Sequence, residues 1–426
     1  MKAFLLSFVV LLAACAGNTD RAQNEAVDLD TLAERYVVLE LAMGEIDTAH
    51  VDAYSGPQAL RDRAQAAGWT LDEISERATQ LERDLSGMID KDTAERINAL
   101  ILRIRALQTR IVINQGNPPD FDTESQLLFA ARAPDIAVET FQQTIAQIDA
   151  LLPGAAPLAE RISAFRERFA IPADKLDVVF VAALEECRRR TLEHIALPEG
   201  ESFKIEYVTD KSWSGYNWYQ GDAHSLIQVN TDFPVQIERA VDLGCHEGYP
   251  GHHTYNVLVE QELLNKRGWI EYSLYPLFSP QSLIAEGSAN YGIELAFPGE
   301  ERLRFERDVL FPMAGLDAND AAQYYEFLAL TKQLSYAGNE VAREYLNGNI
   351  DADTAALWLQ QTALSPEDRA KQRVRFMDDY RSYVINYNLG QDIVRNFVER
   401  YNADQAARWK RFEDILSRPV AASDLR

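Results

Sequence analysis

The sequence predicts a mostly α-helical fold with one small β element, and three observations carry that prediction. Apolar residues recur at helical spacing through most of the chain, capping residues punctuate those runs, and alternation of period two is confined to residues 203–230. Hydrophobic residues make up 47% of the 426, enough to bury one large core or two modest ones, so the chain reads as folded and enzyme-sized.

Met1 to Ala14 carries one lysine, an apolar run from Ala3 to Leu12 and then Leu12-Ala13-Ala14-Cys15. This is the pattern of a signal peptide over residues 1–14, too short to span a bilayer as a mature helix. The small residues before Cys15 resemble a bacterial lipobox. Cys15 is therefore expected to be acylated and to anchor an exported protein at the cell envelope, on an outer membrane facing the periplasm; a cleaved signal with a chance cysteine is the alternative. Residues 15–25 are polar and read as a tether. Residues 26–426 read as one helical unit with an N-terminal half to residue 200 and a second half from 201.

Thr31 and Glu34 read as a capping box ahead of Leu32, Tyr36, Leu39 and Met43. Thr70 and Glu73 repeat it before Ile74, Ala78, Leu81 and Leu85, and Gly87 closes that helix. Ile97, Ile101, Ile104 and Ile111 mark a third helix. Asp135 to Leu152, Pro157 to Phe169 and Asp174 to His194 continue the pattern, so the N-terminal half is expected to be all helix. Arg188-Arg189-Arg190 reads as a solvated face or an ion-pair network, and His50 and His194 as structural.

Phe203 to Val208 and His224 to Asn230 alternate as strands and flank a loop rich in aromatics and amides, Trp213 to Gln220. Tyr216, Asn217 and Trp218 in that loop are candidate substrate contacts beside a strand edge, or else core aromatics. His224 is a further residue within possible reach of the centre described next. Beyond Trp269 to Pro280, a proline-punctuated connection, helices return over Ser282 to Phe297, Asp320 to Leu346 and Asp353 to Ala363, and after Ser365-Pro366.

The densest chemistry is His246-Glu247-Gly248-Tyr249-Pro250-Gly251-His252-His253, which holds three of the six histidines. In zinc hydrolases of the H-E-x-x-H type, two histidines one turn apart hold the ion and the glutamate serves as general base to the attacking water. Here His246 and His252 stand six apart, which in a continuous helix is roughly 9 Å of rise and about 240° of rotation. Pro250 has no N–H and its ring collides with the His246 carbonyl, so the helix breaks between the two histidines, and Gly251 eases the break. That favours His252 as second ligand, with His253 the alternative. Glu286, in Ala285-Glu286-Gly287-Ser288-Ala289-Asn290-Tyr291, is the best third ligand. Tyr387 and Tyr291 are candidate oxyanion donors, and Arg375 or Arg381 candidate binders of a substrate carboxylate.

With Lys+Arg 42 against Asp+Glu 66, the net charge of −24 excludes a nucleic-acid partner. After Cys15 only Cys187 and Cys245 remain, too few for a disulfide scaffold, and Cys245 is expected to be a buried small hydrophobe rather than a fourth ligand.

The eight-residue motif, followed forty residues later by Glu286-Gly287-Ser288-Ala289-Asn290-Tyr291, resembles the bacterial domain-of-unknown-function family 885. Val51 to Pro57 and Arg381 to Gly390 extend the resemblance over most of the mature chain. It implies a bowl-like, multi-helix metallopeptidase fold with a small β element beside the metal helix, and zinc held by His246, one of His252 or His253, and Glu286. Where longer members carry an aspartate and histidine motif, this chain has Leu334 to Glu340 without histidine. The expectation is a zinc-dependent amide hydrolase, most plausibly a peptidase, with Glu247 as base. A zinc amidase or esterase acting on cell-wall or small-molecule substrates, and a non-catalytic lipoprotein that binds peptide or metal, are the rival readings.

Overall fold

The computed structural model describes residues 28–211 and 213–425. The expected signal peptide, Cys15 and the tether all lie outside these residues. Among the described residues, no helix is long and apolar enough to cross a membrane.

The fold is mostly helical, and its local logic follows the caps. The Asp28 side chain accepts the Thr31 N–H at 2.7 Å and opens helix Leu29–Ile46, three residues ahead of the expected Thr31–Glu34 box. At Leu71–Ser86 the reciprocal box of Thr70 and Glu73 forms as expected. These helices, with Gln58–Ala67 and Ala94–Asn114, close a small core around Tyr36, Met43, Ile74, Leu81, Ile97 and Ile104. A larger core takes in Phe129, Phe165, Phe180 and Leu184 together with Tyr249, Leu283, Phe327 and Phe412. The helices between residues 121 and 195 therefore share their interior with the second half. The stretch expected as one helix from Asp320 to Leu346 is two, Ala321–Lys332 and Ala337–Leu346.

Among the described residues there are five strands: β1 (Val51–Tyr54), β2 (Ser202–Val208), β3 (Gly215–Gly221), β4 (His224–Asn230) and β5 (Leu274–Pro276). β2 and β4 are the expected ones, while β1 corrects the all-helical reading of the first half and β3 the loop reading of Trp213 to Gln220. β1 pairs antiparallel with β5, a ribbon too short for alternation to show in sequence. The other sheet runs β2-β4-β3, with β2 parallel and β3 antiparallel to β4. Ser214, Gly215 and Asn217 look like turn formers, yet β3 pairs with β4 from Gly215 opposite Val229 to Gly221 opposite His224. β3 is an edge strand, and its face carries Asn217 toward the metal motif.

Cys245, expected as a buried small hydrophobe, is buried but forms a disulfide with Cys187, with Cα atoms 5.5 Å apart. Two cysteines in the sequence do not reveal that helix Leu176–Leu192 runs directly beneath the turn that carries Cys245. On that same helix Arg188 pairs with Glu201 at 2.6 Å, and Arg189 and Arg190 pair with Glu186 at 2.8 and 2.7 Å. The triple arginine is an ion-pair network, one of the two roles expected of it.

Candidate metal centre

Helix Glu238–Leu243 runs into a wide π-type turn, Gly244–Gly248, which carries His246 and Glu247. The backbone then becomes extended at Tyr249 (φ −127°, ψ 125°), passes the cis peptide bond Tyr249–Pro250, and re-enters a helix at His252–Val259. Gly251 sits in the break. Its N–H donates to the Cys245 carbonyl at 3.0 Å, and a Cβ there would lie 1.9 Å from the His246 carbonyl oxygen. Only glycine lets the second helix start hard against the end of the first. The break brings the His246 and His252 rings to a centroid distance of 4.7 Å, with planes at 90°.

Glu286 comes from helix Pro280–Ala296. Its Oε2 lies 3.2 Å from His246 Nε2 and 3.8 Å from His252 Nε2. Ligand atoms of the three residues all fall within 4.8 Å of one another, the one such group among the described residues. Gly287 fixes the helix that carries Glu286: a Cβ there would be 2.3 Å from the Gly390 carbonyl carbon, so this helix and Ile385–Glu399 touch backbone to backbone.

The donor set fits zinc. Two imidazoles and one carboxylate are the ligands of hydrolytic zinc sites that keep a position open. The Tyr383 hydroxyl donates to Glu286 Oε1 at 2.9 Å, while Oε2, though buried, accepts no hydrogen bond of proper geometry. A buried carboxylate oxygen that faces only the two imidazole nitrogens is costly unless positive charge, from a cation or a protonated ring, meets it. His246 Nδ1 is 3.1 Å from Asn290 Oδ1, an acceptor that places the proton on Nδ1 and leaves Nε2 as ligand. Asn290 is itself held by donating to the Tyr387 carbonyl at 2.9 Å.

The electrostatics agree. Burial opposes a charge on His246, yet the Glu286 and Glu247 carboxylates push its pKa up to about 9. Burial would raise Glu286 as well, but His246 and His252 hold it well below the carboxylate range. Positive charge is thus favoured between the rings. Glu247 beside them is buried, and that burial pushes its carboxyl up, with only partial compensation from the two imidazoles. Its carbonyl accepts from Asn217 Nδ2 at 2.6 Å, and Gly215 leaves room where a Cβ would lie 2.9 Å from Glu247 Oε1.

His253, the alternative ligand, is turned away from this group. One residue on from His252 it points about 100° around the helix. There it is buried, with Nδ1 2.8 Å from Ser225 Oγ and Nε2 3.1 Å from Glu201. Glu201 also accepts from Tyr249 and Arg188; burial would raise its carboxyl, but these partners lower it to about 2. His253 anchors the motif to β2 and β4.

Of the other expected residues, Tyr387, Tyr216, Asn217 and Trp218 line one cleft with His246, Glu247, His252 and Glu286. Burial and the neighbouring Glu286 and Glu247 keep the Tyr387 hydroxyl firmly protonated. Tyr216 donates to Asp52 of β1, and Trp218 to Gln228 at 3.0 Å. Tyr291 is different. It lies on the far side of the helix, buried, and its hydroxyl donates to Glu399 at 3.3 Å, so it belongs to the core. Arg375 is exposed away from the cleft, and Arg381 pairs with Glu124 at 2.7 Å. His224 turns to the Asp222 carbonyl, His50 pairs with Glu40, and His194 stacks on Trp409.

Sequence reasoning gave no role to Tyr383, Asn290, Asp52 or Glu201. For Tyr383 a signal existed: it stands four residues before Tyr387, on the same helical face. Glu124 holds the bend that presents both, bonding Arg381 and, at 2.6 Å, the Ser382 hydroxyl, while Arg381 adopts φ 52° and ψ −125°, a conformation that L-residues avoid.

No family model matches the chain, and no curated protein matches it. Among solved structures it is similar to a candidate lipoprotein from Colwellia psychrerythraea, at 15% identity and a TM-score of 0.50, over 84% of this chain and 68% of that one. It is also similar to an M32 carboxypeptidase from Deinococcus radiodurans R1, at 13% identity and a TM-score of 0.44, over 91% of this chain and 90% of that one. The first likeness shows a shared helical fold.

Proposed function

We propose that this chain is a zinc-dependent hydrolase that cleaves amide bonds in peptides, with His246, His252 and Glu286 as ligands and Glu247 as general base. The observation that carries the proposal is the convergence of three ligand atoms within 4.8 Å of one another, one of them a buried carboxylate oxygen that lacks a hydrogen bond, with a second carboxylate, that of Glu247, adjacent. Zinc bound there would supply Lewis acidity toward the scissile carbonyl and ease deprotonation of water near neutral pH. Glu247 accepts the proton of the attacking water on its carboxylate and passes it to the leaving amine. Burial, which raises its pKa, suits it to both tasks. The Tyr387 hydroxyl, kept protonated, donates to the oxyanion that develops on the carbonyl oxygen.

β3 offers main-chain groups on its free edge to an extended peptide, and Tyr216 and Trp218 on one face shape the neighbouring subsites. The cleft volume, about 2220 Å³, exceeds the roughly 300–1,000 Å³ of small-molecule pockets, which favours peptides over a small amide or ester. Export and anchoring through Cys15 belong to the same proposal, on the strength of Leu12-Ala13-Ala14-Cys15.

Glu247→Gln tests the chemistry. The variant should retain one zinc per chain while turnover on a peptide library falls by roughly 10²–10⁴-fold. Loss of zinc would make Glu247 a ligand or a structural residue, and undiminished turnover would end the general-base assignment. A wild type that holds zinc and cleaves nothing would favour the binding-lipoprotein reading.

A further inference from the structure

Six cationic side chains line the cleft: Arg166, Arg239, Arg302, Lys332, Arg369 and Arg373. Four are neutralised by the protein. Arg166 lies 3.4 Å from Glu238, Arg239 3.4 Å from Asp242, Arg302 2.8 Å from both Asp242 and Glu306, and Lys332 pairs with Glu294. Arg369 and Arg373 have no ion-pair partner among the described residues. They stand four apart on helix Glu367–Tyr380, so both project from one face, the one turned to the cleft.

Each guanidinium is nevertheless seated. Arg369 lies 3.8 Å over the Phe233 ring and reaches Gln372 Oε1 at 3.4 Å. Arg373 rests on Gly338, where a Cβ would come within 2.5 Å of its Nη2, so the missing side chain makes its berth. In a chain with 66 acidic against 42 basic residues, carboxylates are plentiful, yet these two cleft guanidiniums, one half-buried and one exposed to the cleft, meet none among the described residues. Arg373 is exposed to the cleft, whereas Arg369 is half-buried, and that burial together with the nearby Arg239 and Arg166 lowers its pKa. The pair lines the same cleft as Tyr387 and the candidate metal ligands His246, His252 and Glu286.

We propose that Arg373 and Arg369 form the subsite for a carboxylate of the peptide substrate and so select peptides that present one there. This rests on the peptidase reading above. A guanidinium fork matches a carboxylate in shape as well as charge. A peptide brings such a group either as its C-terminal α-carboxylate or as an Asp or Glu side chain, and the two sources are separable. The residue singled out from the sequence, Arg375, shares the helix but stands two positions from Arg373 and so faces the opposite way.

The test uses the zinc-loaded mature chain and three versions of one cleavable peptide: free C-terminus, C-terminal amide, and amide with a Gln→Glu change next to the cleaved bond. Arg373→Gln, and Arg373→Gln combined with Arg369→Gln, should each lower the kcat/KM ratio of a carboxylate-bearing peptide over the plain amide by roughly 10–100-fold. Most of the change should appear in KM, and Arg373→Lys should restore part of it. Whichever carboxylate peptide shows the collapse identifies the source. An equal loss on all three peptides, or an unchanged ratio, overturns the proposal. Binding of the same peptides to the Glu247→Gln variant, followed by calorimetry with and without Arg373→Gln, decides the matter if nothing is turned over. A carboxylate preference abolished by Arg373→Gln upholds the subsite although the peptidase reading has failed, and no preference rejects it.

Discussion

Replacing Gly287 by alanine should uncouple Glu286, the proposed metal ligand, from its support, Tyr383, without touching either. The new methyl would lie 2.3 Å from the Gly390 carbonyl carbon and 2.4 Å from its oxygen. Non-bonded carbons are comfortable at about 3.5–4.0 Å, so the two helices must part by about 1 Å or more. The Tyr383 to Glu286 hydrogen bond spans that junction at 2.9 Å, and such an opening takes it beyond bonding range. Overpacking of this kind costs about 1–3 kcal/mol of stability, and loss of a partner that orients a ligand typically weakens metal binding about 10–100-fold. Denaturant unfolding and competition against a zinc chelator give the two quantities. Gly390→Ala, whose methyl would meet the Leu283 carbonyl oxygen at 2.6 Å, should reproduce both effects. If either alanine variant binds zinc as tightly as the wild type, the backbone contact does not control the centre and the reasoning is wrong.

Two further predictions concern buried charge. Burial pushes the Glu306 carboxyl up to about 7 from its ordinary 4.5, against the pull of Arg302 and with Asp242 adding to the rise. The folded state therefore holds this proton longer than the unfolded one, and stability present below pH 4.5 is lost as pH climbs through 7. Glu306→Gln, which leaves Arg302 its bond to Asp242 at 2.8 Å, should be more stable than the wild type at pH 8 by about 1–3 kcal/mol, with the gap closing by pH 5; a gap independent of pH excludes the mechanism. His253→Ala should lower stability by about 2–4 kcal/mol, through a cavity and the loss of bonds to Ser225 and Glu201, while zinc content stays at one per chain. Metal analysis that finds a folded but zinc-free variant would return His253 to the ligand set.

The sequence announced this centre where its grammar is local. Pro250 and Gly251 lie within the motif, so covalent geometry alone says that the helix breaks and prefers His252 to His253. The Thr70–Glu73 cap was readable for the same reason, being complete within four residues. What stayed hidden depends on partners distant in the chain. His253 is accounted for by Glu201 and Ser225, Glu286 by Tyr383, and Cys245 by Cys187, and none of these pairings leaves a mark at either end. β3 was missed because serine, glycine and asparagine signal turns, whereas here Gly215 and Asn217 are chosen for their fit against Glu247. Nothing in the sequence marks Arg373, because what sets it apart is the lack of an ion-pair partner among the described residues, and that depends on neighbours distant in the chain.

The Cys187–Cys245 bond closes a covalent ring 58 residues around, and all of β2, β3 and β4 lie inside it. A protease that cuts anywhere in that ring produces two chains that remain one molecule, with His246 still tied to the core helix by the neighbouring cysteine. Nicked protein would then run as a single species on a non-reducing gel and separate only when thiol is added. That linkage converts a break in the polypeptide between residues 187 and 245 from a loss into a wound that holds.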